Sequence, residues 1–393
     1  MRLLPLLLFA LVMILTVSCK EGKKEAKVIE EVDQTDFKAM HTVFVKTEIE
    51  IENLFEIEEI IPLDVPDGET LVSIYRLQTF EGNYYLLDLD FGTLLKFSPE
   101  GKALAKIGKL GEGPSELLDY SDFALSKSGK ELLVVSMSGM SLSFFDLEGN
   151  FKRKIRLKSQ SEMIGVDKDR NIGMSITYFN EDFYNFETLD SSGTSVNKFF
   201  PFPKGMDAML LRWISGHISG SEKGGFLYHE PANSVIFEIN GAETFPKYQF
   251  ESNEPMWPTD KKHQVIKYFE SLASGQISFL TRFFEESESH LFFTWNKKKR
   301  AIAEKVVDYR TGVYDKSTKQ TYITKENSLS EKMAGPMAVE GNSVLFSISL
   351  YQLLEIAEEP ILKKHMVQIQ KLKKEKGDTD SPVILKMKLK ELE

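Results

Sequence analysis

The sequence predicts an all-β fold, a β-propeller of six four-stranded antiparallel blades, and three observations predict it. Short runs rich in aromatic and branched residues, such as 84–87 and 132–135, alternate with Gly, Asp and Asn turn signals. A strand–turn–strand unit recurs at intervals in the mid-forties. Two strand candidates, 55–63 and 382–389, stand near opposite ends of the chain.

The composition is that of a globular protein. Of the 393 residues, 42% are hydrophobic and 27% are charged, which argues against a disordered or multi-span membrane chain. Lys and Arg number 49 against 59 Asp and Glu, for a net charge of -10. This balance disfavours nucleic acid as a partner, because phosphate binding depends on clustered cations. A single Cys excludes an intramolecular disulfide and a Cys-rich zinc site.

The repeat is marked by a glycine at the end of a polar turn. Gly101, Gly149, Gly193 and Gly241 are separated by 48, 44 and 48 residues, and Gly312 follows after 71. A tight hairpin often needs a residue with positive φ, which glycine adopts at little cost. The spacing is that of a four-stranded propeller blade, and the last step predicts an insertion. A pair of β-sandwiches, the competing architecture, predicts no fixed period.

An open ring of blades would leave strand edges unpaired. The sequence therefore predicts that strand candidates 55–63 and 382–389 meet in one blade, with Pro382 at a strand start where proline is tolerated. Two insertions with helical spacing are predicted near 259–284 and 353–376. The second is rich in Lys. It fits either a helix on a membrane surface or an excursion between blade strands with a solvated face, and we favour the excursion.

The first residues read as a secretion signal. Arg2 precedes an apolar run over 3–15, which is too short to span a bilayer comfortably. The only Cys of the chain, Cys19, follows Thr16-Val17-Ser18, a relaxed form of the lipoprotein cleavage motif. An ordinary signal peptide with an incidental Cys is the alternative.

We therefore divide the chain into a lipoprotein signal peptide (1–18), a flexible tether (19–48) and a six-bladed propeller (49–393). Acylation of Cys19 would anchor the protein in the cell envelope of a Gram-negative bacterium. The mixed charge of the tether leaves open whether it faces the periplasm or the outside, and an outer-membrane anchor is expected.

The segment 84–123 resembles the six-bladed β-propeller lipoproteins of Bacteroidetes, which belong with the NHL and TolB-like propellers. The resemblance rests on the turn 97–101, on the Gly-rich segment 107–117, and on the end 381–384. Ser115 stands where that family has Gly, and Ser381 stands where it has Asn. The resemblance implies fold and envelope location, and it carries no catalytic residues.

Three polar segments fit a ligand site or a plain turn. The Gly-rich loop 108–116 could cradle phosphate, yet it lacks the Gly-Lys-Ser/Thr of a P-loop, so an inter-blade turn is favoured. The carboxylates of 88–92 are spaced as in calcium loops, but the later ligands are missing, so a turn is favoured again. The acidic run 285–288 is expected to be a solvated loop.

No reaction centre emerges from the sequence. The six histidines are scattered, and no nucleophile elbow is present. We therefore assign no catalytic residue, no metal ligand and no cofactor. Aromatic residues are the best ligand-binding candidates, and Tyr178 and Trp213 are the two we select for stacking on a sugar ring or a peptide.

These observations favour a non-catalytic binding or scaffold module, whose partners would be the membrane, through the anchor, and a glycan, a peptide or an envelope protein. Whether the protein is an enzyme stays open. The alternative is a metal-assisted hydrolase, lactonase or lyase with its site in the axial pocket of the ring. A regulatory partner of a transporter is a third interpretation.

Overall fold

The structure is a computed structural model, and it describes residues 27–28, 39–176, 180–204, 217–231, 233–256, 276–296, 309–326, 329, 332–333, 335–377 and 379–391. These residues form six antiparallel sheets that surround an axis as the blades of a propeller. The predicted fold class is confirmed, and a pair of β-sandwiches is excluded.

Four antiparallel strands make up each blade, and the blades follow one another in chain order. From the innermost strand outwards, blade 1 consists of Ile74–Phe80, Asn83–Asp88, Thr93–Phe97 and Ala103–Lys106. Blade 2 consists of Asp122–Ser126, Glu131–Ser136, Ser141–Asp146 and Phe151–Arg156. Blade 3 consists of Met163–Val166, Ile172–Ser175, Tyr184–Leu189 and Ser195–Pro201.

The remaining blades repeat this plan. Blade 4 consists of His217–Gly220, Phe226–His229, Val235–Asn240 and Glu243–Ser252. Blade 5 consists of Phe279–Glu286, His290–Asn296, Tyr309–Asp315 and Thr321–Thr324. Blade 6 consists of Ala338–Glu340, Ser343–Ser349, Pro382–Leu389 and Phe55–Pro62.

The two ends of the chain close the ring, as predicted. Pro382–Leu389 lies between Ser343–Ser349 and Phe55–Pro62, and Leu385 stands opposite Phe346 on one side and Ile60 on the other. Each innermost strand also contacts the innermost strands of both neighbouring blades, so these strands form a closed ring around the axis. Because the two ends of the chain share blade 6, the series of blades has no open end.

The two faces of the ring differ in their connections. Turns that join the first to the second strand of a blade, or the third to the fourth, have five residues or fewer. They lie together on what we call the short-turn face, because antiparallel strands return the chain to one side. Connections between the second and third strands, and between blades, lie on the opposite, long-loop face. The helical insertion of blade 6 is one of them.

The repeated glycines end the turns between the third and fourth strands of blades 1 to 4. Gly149 has a φ of 88°, and a Cβ there would overlap the carbonyl oxygen of Lys106, at the end of the preceding blade. At Gly101, Gly149 and Gly193 the period thus marks a close approach of neighbouring blades as well as a turn, whereas Gly241 has free space around it. The fifth copy was misplaced: Gly312 lies within strand Tyr309–Asp315, and Lys319, at φ 60°, ends the equivalent turn of blade 5.

An N-terminal belt runs along the outer edges of three blades. Lys27–Val28, His41–Val45 and Thr47–Ile49 each add a parallel fifth strand, to blades 3, 4 and 5 respectively. A short helix, Ile51–Leu54, then leads into blade 6. The sequence places all of 19–48 in a flexible tether, but these three strands are paired with the propeller. Alternation of Val43 and Val45, both buried, with exposed neighbours explains the pairing.

The insertion predicted over 353–376 is helical. It comprises Leu350–Glu355, the 3-10 helix Pro360–His365 and Met366–Lys376. It lies between the second and third strands of blade 6 and packs Leu362 and other apolar residues on the outermost strand. The amide of Gln368 donates to the carbonyl of Ile60 at 2.9 Å, so the insertion covers that edge.

The structure contradicts part of the insertion predicted near 259–284. Residues 259–275 lie outside the described residues. Residues 279–284 belong to the innermost strand of blade 5, so the helix predicted there is wrong. Leu280 and Phe284, both buried, are four residues apart, a spacing that places them on one face of either a helix or a strand. The pattern alone could not decide between the two.

Candidate functional site

A cavity of about 1120 Å³ follows the axis of the ring, and all six blades contribute to its wall. Much of the wall is apolar, including Tyr75, Leu77, Met163, Ile218, Phe226 and Phe284. Phe226 lies on the second strand of blade 4, and the other five lie on innermost strands, where every second residue points to the same side. Apolar walls with a few polar groups are typical of ligand sites.

A buried ion pair joins the first three blades beside this cavity. Arg76, on the innermost strand of blade 1, pairs through Nη1 with Asp122 Oδ2 on blade 2, and the two side chains are 11% and 0% exposed. The amide of Ile164 on blade 3 donates to the same oxygen at 2.7 Å. Breaking such a pair would leave one charge buried alone, which is costly. The pair, with the Ile164 amide, therefore links the innermost strands of blades 1, 2 and 3.

Glu285 places a carboxyl group in the cavity wall. Its Oε2 accepts a hydrogen bond from the amide of Val339 on blade 6 at 2.9 Å. Burial raises the pKa of Glu285 to about 7, although the charges of Lys127 and Arg76 act in the opposite direction. A carboxyl with such a pKa exchanges its proton near neutral pH, so it can donate or accept a hydrogen bond there.

The adjacent residue, Glu286, has the opposite environment. Its side chain is fully buried, and it accepts hydrogen bonds from Lys247 Nζ at 2.7 Å and from the hydroxyl of Tyr248 at 2.6 Å. Lys316 Nζ lies 3.2 Å away. Burial alone would raise the pKa of Glu286, but the hydrogen bonds from Lys247 and Tyr248 hold it below its usual value. Glu286 thus stays ionised and binds blade 4 to blade 5.

The acidic run 285–288 is therefore wrongly predicted as a solvated loop in its first half. Glu285 and Glu286 end the innermost strand of blade 5, and they point to opposite neighbours because strand side chains alternate. Only residues 287–289 form the turn. Composition suggested an exposed loop because carboxylates are rarely buried unless paired.

The Gly-rich loop is filled by its own carboxylate. Glu116 Oε2 accepts from the amide of Gly113 at 2.9 Å, and Lys109 Nζ lies 3.2 Å from the same carboxylate. A Cβ on Gly111 would overlap this carboxylate. The glycines therefore surround an internal anion, and the inter-blade turn that we favoured is what the structure shows. A second cavity, of about 660 Å³, separates the loop from the outermost strand of blade 2.

The pair of carboxylates at 88–92 forms a turn, again the favoured interpretation. Asp88 is fully buried, and its two oxygens accept four backbone N–H groups, those of Val72, Ser73, Asp90 and Phe91, at 2.8 to 3.1 Å. Asp88 is thus used to hold the start of blade 1 against its own turn.

The residues selected from the sequence are not placed by the structure. Cys19, Tyr178 and Trp213 lie outside the described residues. Within the described ranges, no three His, Cys, Asp or Glu side chains are grouped so that they could hold a metal ion. No helix in the same ranges is long and apolar enough to cross a membrane.

Sequence reasoning missed Arg76 and Asp122, and it assigned Glu285 to a solvated loop. One signal could have found Arg76, which is a charged residue within a run of strand-forming apolar residues, Ile-Tyr-Arg-Leu. Asp122 follows Ser121 and Glu285 precedes Glu286, so neither lies within such a run. A charge in such a run is either paired or functional, because an unpaired buried charge is unstable. The sequence could not show that Arg76 and Asp122 lie on neighbouring blades, or that Glu285 on blade 5 faces the same axis.

Two solved structures from Bacteroides share the fold of this chain. One is a Bacteroides fragilis protein named for its expected export, with 15% identity and a TM-score of 0.69 over 93% of this chain and 100% of the other. Another is a DUF4221 family member from Bacteroides vulgatus, with 11% identity and a TM-score of 0.58 over 87% of this chain and 100% of the other. At these identities the likeness concerns the fold.

None of the curated proteins compared with the chain matches it. A family model described as a domain of unknown function, DUF4934, matches residues 39–388. This range begins with the N-terminal belt on blade 4 and ends in the strand that closes the ring, so it includes all six blades. The chain therefore belongs to the DUF4934 family of six-bladed propellers.

Proposed function

We propose that the protein is a lipid-anchored binding propeller of the Gram-negative cell envelope and that it holds a glycan or peptide segment in its axial cavity. One observation carries the proposal: a single cavity of about 1120 Å³ is walled by all six blades and has several carboxyl groups and cations among apolar side chains. Sites for organic ligands commonly have 300–1,000 Å³, so this one has room for several sugar rings or amino acids.

Both the sequence and a structural neighbour support the proposed location in the cell envelope. The apolar run 3–15 and the lone Cys19 favour secretion and acylation. The neighbour from Bacteroides fragilis is named as an exported protein, in keeping with that address. Labelling cells with a palmitate analogue tests the anchor. We expect label on the wild-type chain and none on Cys19→Ala, and equal label on both would refute acylation at Cys19.

Ligand binding is tested with arrayed envelope glycans and with peptides of three to six residues. We expect a ligand that binds the wild-type protein and raises its melting temperature. Binding should weaken in Glu285→Gln, which changes the cavity wall, and be unchanged in Glu288→Gln, whose carboxyl lies in the exposed turn of the same blade. A ligand that binds both variants as tightly as the wild-type protein would place its site outside the axial cavity.

A second function is favoured by Glu285 itself. A carboxyl with a pKa of about 7 in a cavity wall is suited to general acid–base catalysis, as a hydrolase, lactonase or lyase requires. Assays with lactone, ester and uronide substrates, with and without added divalent ions, would separate this function from binding alone. Turnover that Glu285→Gln abolishes would establish it, and binding without turnover would favour the binding module.

A further inference from the structure

The outermost strand of blade 2, Phe151–Arg156, is a basic edge. Four of its six residues are cations, Lys152, Arg153, Lys154 and Arg156, in a chain whose net charge is negative. Phe151, at its start, is 36% exposed. The outer edges of blades 3, 4 and 5 are each covered by a belt strand, and that of blade 6 is covered by the helical insertion. Among the described residues, no further strand pairs with the basic edge of blade 2.

This edge lies beside the point where the N-terminal chain joins the propeller. Arg153 Nη2 donates to the carbonyl of Ser191 at 2.7 Å, in the short turn that leads into the outermost strand of blade 3. That strand, Ser195–Pro201, pairs with Lys27–Val28, and Lys27 stands opposite Asn197. The first belt strand and the basic edge therefore occupy neighbouring positions on the rim.

Chain length restricts where an anchor could be. Seven residues lie between Cys19 and Lys27, so eight residue-to-residue steps join them. Even fully extended, these steps span roughly 26–29 Å, at 3.3–3.6 Å per residue. Lys27–Val28 runs parallel to its neighbour, so Lys27 lies toward the short-turn end of the pair. A lipid on Cys19 would therefore hold the short-turn side of blades 2 and 3 close to the bilayer.

Neighbouring acids balance the charges of the basic edge only in part. Lys154 is the most balanced of the four cations, since its Nζ donates to the carbonyl of Glu116 and its charge also acts on the Glu116 carboxylate. Arg153 stacks on the Phe144 ring, 3.3 Å from its centroid. The acid nearest Lys152, Glu131, is 3.9 Å away, a separation at which exposed pairs contribute little.

We propose that the basic edge contacts anionic lipid headgroups beside the anchor, so that the short-turn side of blades 2 and 3 faces the bilayer and the long-loop face points away. The inference rests on the anchor proposed above. Juxtamembrane Lys and Arg residues are attracted to anionic leaflets within about one Debye length, which the short tether permits. The long loops and the helical insertion are then free for a partner.

Vesicle binding tests this contact in a chain that carries no lipid anchor. The chain from Lys20 onward retains every described residue, and the probes are vesicles of phosphatidylcholine with or without 30% phosphatidylglycerol. We expect salt-sensitive binding to the anionic vesicles only. Because each cation near such a surface changes affinity about fivefold, Lys152→Gln with Arg153→Gln, the two cations nearest the short-turn end of the strand, should weaken binding about 25-fold. The matched control, Lys363→Gln with Lys374→Gln on the helical insertion, should bind like the parent.

Three results would overturn the inference: no binding of the parent to anionic vesicles, no loss in the edge variant, or a loss confined to the helix variant, which would make the insertion the membrane contact. Binding of a polyglutamate peptide without vesicle binding would assign the edge to an acidic protein segment instead. Failure of the anchor is distinguishable, because palmitate labelling of Cys19 is measured separately.

Orientation is tested on the acylated full chain in vesicles. Since Cys19 is the only Cys, a single introduced Cys carries a unique fluorophore. Spin-labelled lipids should quench a probe at Glu148→Cys, in the short turn before the basic edge, at least threefold more than a probe at Tyr351→Cys on the helical insertion. Equal quenching at both positions, or stronger quenching at Tyr351→Cys, would refute the orientation.

Discussion

Removal of the strand that closes the ring should unfold the whole propeller. Pro382–Leu389 buries five apolar side chains, Val383, Ile384, Leu385, Met387 and Leu389, each 7% exposed or less. At about 1.5–3 kcal/mol for each buried side chain, their loss costs about 8–15 kcal/mol. The free energy of unfolding of a typical domain is about 5–15 kcal/mol, so a chain ending at Ser381 has little or no stability left.

A point substitution makes the same argument measurable. Leu385→Ala should lower the free energy of unfolding by about 2–5 kcal/mol, since Leu385 is fully buried between two strands. Val367→Ala, at an 86% exposed position of the helical insertion, should change it by less than about 0.5 kcal/mol. Urea unfolding followed by circular dichroism and Trp fluorescence gives both values. A truncated chain that melts like the parent would refute ring closure as the source of stability.

Other perturbations test the blades and the cavity. Gly149→Ala should destabilise by about 2–3 kcal/mol, because its φ is positive and its Cβ would overlap the preceding blade, whereas Gly241→Ala, with free space around it, should cost about 1 kcal/mol. Arg76→Met should cost about 3–5 kcal/mol, because it leaves Asp122 buried without its partner. The pKa of Glu285 is raised from 4.5 to about 7 on folding, so the folded state keeps a proton that the unfolded state releases between those values. Stability should therefore fall as pH rises through this window, and Glu285→Gln should flatten the dependence.

Each of these has a contradicting result in the same urea measurement. Equal losses at the two glycines would show that backbone conformation, and not contact between blades, explains the repeated turn. An Arg76→Met protein as stable as the parent would mean that the ion pair does not hold the innermost strands together. A Glu285→Gln protein with the parent's pH dependence between 4.5 and 7 would assign that dependence to other groups.

Local patterns in the sequence sufficed for much of the fold. The glycine period predicted blades because blades 1 to 4 each have a glycine of positive φ in the turn between the third and fourth strands. Pro382 with its apolar successors predicted the closing strand. The same reasoning failed at Leu280 and Phe284, where a spacing of four suits both helix and strand. It failed at Gly312 because a glycine within a strand, close to the Phe293 ring, resembles a turn glycine in sequence.

The candidate site was less predictable. Nothing in a linear pattern indicates that Arg76 and Asp122, 46 residues apart, pair across neighbouring blades, or that Glu285 lies on the same cavity. Adjacent carboxylates at 285 and 286 look alike in sequence. They acquire different pKa values because one packs toward blade 6 and the other toward Lys247.

What the sequence determined by itself was the strand content, the number and size of the blades and the pairing of the two ends, since these follow from local periodicity and turn chemistry. Tertiary structure alone decided which charged side chains meet around the axis, that the N-terminal segment is a belt on the rim, and where a basic edge lies relative to it. Those properties depend on how separate blades are rotated against one another, and the burial and partners that set a carboxyl's pKa exist only after that packing.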